Sequence, residues 1–160
     1  YASVVNKVRV CTGVDERFNP TIVSLKRALL KEEEIYSISI AHFRPLFEGN
    51  IINELSLCDI DLAKNLVDSE ICSFFYTQAN KTNTKICDNV GINIKMKNQI
   101  LVSITDSFCG SLERFKIEVN AKEGVYFGDL IDYKLHRVNE NGQMNLNENL
   151  SFLSIFLLKL

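Results

Sequence analysis

The residues with which this chain can do chemistry are few: two histidines, five cysteines and a pair of near-neighbour carboxylates. His42 and His136 fall on stretches of strand-like alternation, and neither has a Ser, Cys or carboxylate at a spacing that catalysis uses. A lone strand histidine is usually a packed or surface residue. Asp59 and Asp61 stand one residue apart. Paired carboxylates can hold calcium, but calcium needs further oxygen ligands that these neighbours do not supply. The plainer reading is a solvated strand edge. Gly124 and Gly128 in EGVYFGD superficially resemble a phosphate loop, but the pattern lacks a GK[ST] end and opens no helix, so it reads as a β-turn. Lys95, Lys97 and Arg114 to Lys116 scatter positive charge without interleaved aromatics, which argues against single-strand nucleic-acid binding. These residues predict no catalytic set, no metal and no cofactor: a protein that is not an enzyme.

The cysteines stand at 11, 58, 72, 87 and 109, with no CxxC pair among them. A zinc ribbon or thioredoxin-type site is therefore not expected, and an odd count leaves at least one thiol unpaired within the chain. Cys58 and Cys72 pair across strands or stay free; Cys11 has no assignment. The sequons at Asn80 and Asn149 barely favour secretion in so Asn-rich a chain.

The elements that must position these residues follow from composition and period. The chain has 160 residues, a 46% hydrophobic share and a net charge of −2. That suggests one domain with a real core and without the basic surface of a nucleic-acid binder. No apolar run reaches the roughly 18–20 residues of a membrane helix. A start at Tyr1 reads as a processed product or an excised piece. Asn19-Pro20 looks like an N-cap with Pro at the first helical position, and Ile22, Leu25, Leu29 and Leu30 predict a helix over about 20–34. From residue 35 the period changes to two. IYSISIAHF (35–43) sets Tyr36, Ile38, Ile40 and His42 on one face. DIDLAKNLV (59–67) fits a short helix or a strand. ICSFFYTQ (71–78) reads as a buried strand, 91–104 as two strands meeting at Lys97-Asn98, and 114–119 and 130–138 as further strands. NENGQ is a turn, and LSFLSIFLLKL closes the chain as a strand. About eight short strands with turns between them predict a sandwich or jelly roll. The one boundary lies near 35.

Several segments, taken in order, resemble the tumour necrosis factor homology domain. They are Ile40-Ala41-His42, Asn65-Leu66-Val67 with Ser69-Glu70, and Phe74-Phe75-Tyr76-Thr77-Gln78. Gly128-Asp129-Leu130, Glu140 to Met144, and Leu150 to Leu153 complete the series. Leu153-Ser154 stands where that family places Phe-Gly, and residues 1–36 match nothing in the domain.

The resemblance implies an all-β jelly-roll β-sandwich over 37–160, similar to the tumour necrosis factor and complement C1q domains, with an N-terminal helical appendage over 1–36. It implies an extracellular, cytokine-like ligand that forms a homotrimer and binds a cell-surface receptor at grooves between protomers. Both faces of 71–78 carry aromatics, so both need cover. The resemblance places Phe74, Tyr76, Phe152, Ser154 and Phe156 at the threefold contact. A segment of the same chain, such as the helix at 20–34, is the other possible cover. The resemblance also implies a disulfide between Cys87 and Cys109; two free thiols are the alternative. Arg44, Lys81 and Glu113 are receptor-facing candidates because they are expected to be exposed. The competing reading is an intracellular or viral β-sandwich interaction module with reduced thiols, and a third is a capsid-type jelly roll.

Overall fold

A computed structural model describes residues 15–45, 49–82 and 86–146. Among them are two α-helices and eight strands: α1 (Pro20–Leu29), β1 (Ile35–Phe43), α2 (Leu57–Val67), β2 (Ile71–Ala79), β3 (Asn89–Met96), β4 (Leu101–Ser107), β5 (Arg114–Ala121), β6 (Gly124–Asp129), β7 (Lys134–Asn139) and β8 (Gly142–Asn145). A 3₁₀ turn (Asp15–Phe18) precedes α1, and a π-helical stretch (Ile52–Ser56) runs into α2.

All eight strands belong to one sheet, in the order β2-β3-β4-β1-β5-β6-β7-β8. Only β1 and β4 run parallel; every other neighbouring pair is antiparallel. One face carries Ile38 and Ile40 of β1, Ile92 and Ile94 of β3, Val102 and Ile104 of β4, and Ile117 and Val119 of β5. All of these are buried in one cluster with Ile22 and Leu25 of α1 and Leu62 and Leu66 of α2. The helices therefore cover a single face, and the result is two layers, helices on a sheet. Across the middle of the sheet the opposite face is small and polar: Ser39, Asn93, Ser103 and Thr105 are exposed.

This overturns the jelly-roll expectation. Alternation in β1, β3, β4 and β5 reports that one face is buried; it does not say what buries it. A sandwich uses a second sheet, and here two helices do the work. The ambiguous 59–67 segment is helical. Its Asp59, Leu62, Ala63 and Leu66 face inward at three- and four-residue spacing.

Helix α1 begins where the sequence predicts. The Asn19 side chain accepts a 2.9 Å hydrogen bond from Thr21 N, and Pro20 occupies the first turn. Such a cap contributes about 1 kcal/mol. The same Asn19 donates to Leu130 O at 2.9 Å, tying the helix start to the end of β6. Gly128 lets the two approach: a Cβ there would lie 2.6 Å from Ile117 Cγ2 and 3.1 Å from Thr21 Cγ2. The helix stops at Leu29, short of the predicted 34, and Leu30 is exposed. Glu32 leaves the helix to accept a hydrogen bond from the Tyr126 hydroxyl and one from Glu123 N.

Strand β2 departs most from its reading. It is a strand, but at the edge of the sheet, beyond the helices' cover. Phe74, Phe75 and Tyr76 are 66%, 64% and 53% exposed. A strand end also differs from the sequence reading: the predicted 130–138 strand is a turn over 130–133 followed by β7.

Candidate functional site

Strand β1 delivers the central residue of the site. Its inward series runs Ile38, Ile40, His42, so the strand ends with an imidazole on the apolar face. The parallel partner β4 does the same: Val102 and Ile104 are followed by Asp106, directly opposite His42. On the other side His42 is paired with Phe115 of β5, and the two rings stack at 3.8 Å with planes 8° apart. Asp59 reaches the same place from α2, and Ser56 from the π-helical stretch one turn earlier. A widened turn of this kind shifts which side chains face inward.

These groups form a buried polar chain. His42 Nδ1 lies 3.1 and 3.3 Å from the two Asp59 carboxylate oxygens. Ser56 Oγ donates to Asp106 Oδ2 at 2.5 Å. His42, Asp59, Asp106 and Ser56 are each at most 1% exposed. Burial holds the imidazole down at about 4, and the Arg44 guanidinium lowers it further. Burial raises Asp59 to about 7 and Asp106 to about 8, the Asp59 charge adding to the rise at Asp106. Two buried carboxyls this close titrate as a pair. At neutral pH the pair retains a proton, held between Asp106 and Asp59, which hydrogen-bond to each other. Without it Asp106 Oδ1 would be a buried oxygen with no donor among the described residues.

The protonation pattern sets the chemistry. A neutral His42 donates Nδ1–H to Asp59, a hydrogen bond and not an ion pair. Its Nε2 then carries a lone pair and has no protein partner. His42 lines a cleft of about 360 Å³ that also takes in Phe18, Arg44, Glu113 and Tyr133. With a conjugate acid three units below neutrality, His42 is a weak base, about a thousandfold short of one poised at pH 7. In this geometry Nε2 is free to accept a hydrogen bond. Arg44 pairs with Glu113 at 3.4 Å at the mouth, and Asp15 and Glu16 add negative charge to the rim. One cation among three carboxylates disfavours an anionic occupant.

The sequence-picked residues are distributed as follows. Asp59 and Asp61 do not act together. On a helix, positions two apart point to different sides, so Asp59 faces His42 while Asp61 is ion-paired with Arg17 on the surface. His136 stacks on Phe127 at 5.2 Å, away from the cleft. Gly124 to Asp129 is strand β6, with Gly124 at φ +148° beside its turn, and holds no phosphate loop. Arg44 and Glu113 are brought together at the cleft. Lys81 is elsewhere, its backbone N–H bonded to the Asp88 carboxylate at 2.9 and 3.0 Å. Phe74 and Tyr76 sit on the exposed edge strand; Phe152, Ser154 and Phe156 lie outside the described residues, as does Cys11. Cys58, Cys72, Cys87 and Cys109 are free thiols. Among the described residues no group of His, Cys, Asp and Glu is arranged to hold a metal, and no helix is long and apolar enough to cross a membrane.

No protein-family profile matches this sequence, and no curated protein does. Solved structures do. UDP-N-acetylglucosamine 3-dehydrogenase from Acidithiobacillus ferrooxidans superposes with a TM-score of 0.82 at 13% identity, over 98% of this chain and 52% of that one. An oxidoreductase from Agrobacterium radiobacter, in complex with NAD+, L-tartaric acid and magnesium, gives 0.73 at 15% identity over 93% of this chain and 49% of that one. Levoglucosan dehydrogenase, in complex with NADH and L-sorbose, gives 0.75 at 13% identity over 91% of this chain and 48% of that one. The shared property is the fold. This chain spans about half the length of these structures.

These matches overturn the ligand reading. The structural relatives are dehydrogenases, so the tumour necrosis factor resemblance, the cytokine function, the non-enzyme assignment and the extracellular placement that rested on them all fall. The competing β-sandwich module and the capsid jelly roll fall with the single helix-covered sheet. Each segment that carried the resemblance is a short residue pattern, and such patterns recur in unrelated folds; Asn65 to Val67 closes helix α2, and Leu150 to Leu153 lie outside the described residues.

Nor do the described residues fit the dinucleotide that two of these relatives carry. Dinucleotide sites use a Gly-rich turn between a strand of a parallel sheet and a helix N-terminus. Among the described strands the only parallel pair is β1 with β4, and the sequence contains no G-x-G-x-x-G.

Proposed function

We propose that this chain is the substrate-side half of a dehydrogenase-type oxidoreductase, and that the cleft floored by His42 holds a neutral polyhydroxylated small molecule. The observation that carries the reading is the buried His42 Nε2: an acceptor without a protein partner, on a residue that lines a cleft of about 360 Å³. A buried acceptor left unpaired costs about 1–3 kcal/mol, and a substrate hydroxyl satisfies it. Three further points support the reading. The fold is that of half of several dehydrogenases. The occupant named for one of them, L-sorbose, is uncharged and rich in hydroxyls. The acidic rim favours an uncharged sugar or polyol over a phosphorylated one. The mostly antiparallel sheet argues that the nucleotide would be held by a separate domain.

The chain's residues would act as follows. Asp59 fixes the His42 tautomer, so Nε2 accepts from a hydroxyl. Phe115 covers the imidazole and keeps water from its face. Arg44, held by Glu113, contributes donors at the mouth. The test is a titration of the full chain with levoglucosan, L-sorbose and inorganic phosphate, followed at the His42 ring nitrogens by NMR. The expected result is a shift at Nε2 with a sugar and none with phosphate, and affinity at least tenfold weaker in His42→Phe. A shift with phosphate alone, or none with either sugar, contradicts the reading.

A further inference from the structure

Strands β3 and β4 are antiparallel with Asn89 opposite Ser107. The ladder continues one step further, with Phe108 N donating to Asp88 O at 2.9 Å. The regular ladder ends there, because Asp88 N turns to donate to Ala79 O of β2 at 3.2 Å. Cys87 and Cys109 each lie one residue beyond the Asp88–Phe108 contact, at the same end of the two neighbouring strands.

Both thiols converge on Asn89. Cys87 Sγ donates to Asn89 O at 3.1 Å and to Ala79 O at 3.4 Å; Asn89 Nδ2 donates to Cys109 Sγ at 3.2 Å. The Cys87 side chain is thus turned toward β2, away from its opposite number. Moving it from one staggered χ1 well to another gives up only weak S–H bonds. Cys109 is exposed and Cys87 partly so, which admits a small oxidant.

We propose that Cys87 and Cys109 form a reversible cross-strand redox pair, closed by exchange with a low-molecular-weight disulfide. The exposed Cys109 thiolate attacks one sulfur of the small disulfide, forming a mixed disulfide and releasing one small thiolate. Cys87 then rotates and attacks Cys109 Sγ, forming the Cys87–Cys109 bond and releasing the second. Two electrons pass from the protein to the small disulfide, and the two thiol protons end on the two released thiols. Nothing in this step depends on what the cleft binds.

The experiment incubates the full chain with oxidised glutathione, alkylates the remaining thiols and maps the products by mass spectrometry. Alkylatable thiols are expected to fall from five to three, with peptides containing Cys87 and Cys109 linked and the change reversed by reduced glutathione. In Cys87→Ser the reaction is expected to stop at a glutathione adduct on Cys109. A persistent adduct on Cys109 of the unmodified sequence overturns the proposal, as does linkage through Cys11, Cys58 or Cys72, or five thiols left unreacted. The unmodified chain alone decides this, whatever the variant does to folding.

Discussion

Strands β1 and β2 are each nine residues long and each rich in aromatic and branched side chains: IYSISIAHF against ICSFFYTQA. Their fates differ. In β1 Ile38, Ile40 and His42 are sealed beneath helices, while in β2 residues 72–79 are all exposed. The composition of the two strands does not predict this. Position does: β1 sits inside the order of strands with a neighbour on each side, and β2 ends the sheet, where only Ile71 at its start packs against the core. Apolar character marks what a strand can bury, and topology decides whether it does.

The largest expected effect separates the two strands directly. Ile40→Ala, in the sealed strand, is expected to cost about 2–5 kcal/mol, measured by urea unfolding. Phe74→Ala on the edge strand removes a larger side chain and should still cost far less. Equal losses would mean that β2 is covered in solution, and the contrast would fail.

How much of this was legible in the sequence follows the same line. The start of α1 at Asn19-Pro20 and the bounds of β1 were readable because local chemistry determines them: a cap, a fixed proline φ, a period of two. The cover was not, because period describes one element at a time. Asp59 and Asp61 looked like a pair because they are adjacent on the page; helical geometry sends them apart. The His42–Asp59–Asp106 group joins residues 17 apart and, through Ser56, 50 apart along the chain. One clue was present: His42 and Asp106 each extend an inward-facing apolar series, Ile38-Ile40 and Val102-Ile104. A titratable residue in such a slot has to find a buried partner.

The next effect is on the pH dependence of the sealed region. Asp59 and Asp106 have folded pKa values raised above their unfolded ones, so their contribution is most favourable below about 4. It is lost as pH rises through about 7 to 8. His42 runs the other way: its folded value is lowered to about 4, so its contribution is lost as pH falls from 6.5 through 4. Two carboxyls against one imidazole leave the folded state holding more protons between about pH 4.5 and 8. Stability is therefore expected to decline with rising pH across that window, by urea midpoint. Asp106→Asn should flatten the decline and, at pH 8, unfold at higher urea than the unmodified chain. A midpoint that rises from pH 5 to 8 would contradict the assignment.

A smaller effect concerns the hydrogen bond that orients the imidazole. Asp59→Ala should cost about 1–3 kcal/mol and release His42 to sample both neutral tautomers. Phe115→Leu should keep the tautomer and lose the stacked ring, at a cost of about 0.5–1.5 kcal/mol. If both variants leave the ring nitrogens unchanged, Asp59 is not the orienting group.

The smallest effect belongs to the edge strand. Phe74→Ser is expected to change stability by no more than about 0.5 kcal/mol, since the ring is 66% exposed. A larger loss would place an unseen cover on β2.

The most direct test of the central claim is the protonation state of His42 in the unliganded full chain, by long-range proton–nitrogen correlation at pH 7 and then on acidification. The expected spectrum has a proton on Nδ1 and a bare Nε2, unchanged until the pH approaches 4. A proton on Nε2 at pH 7, or an imidazolium already formed at pH 6, would contradict the account.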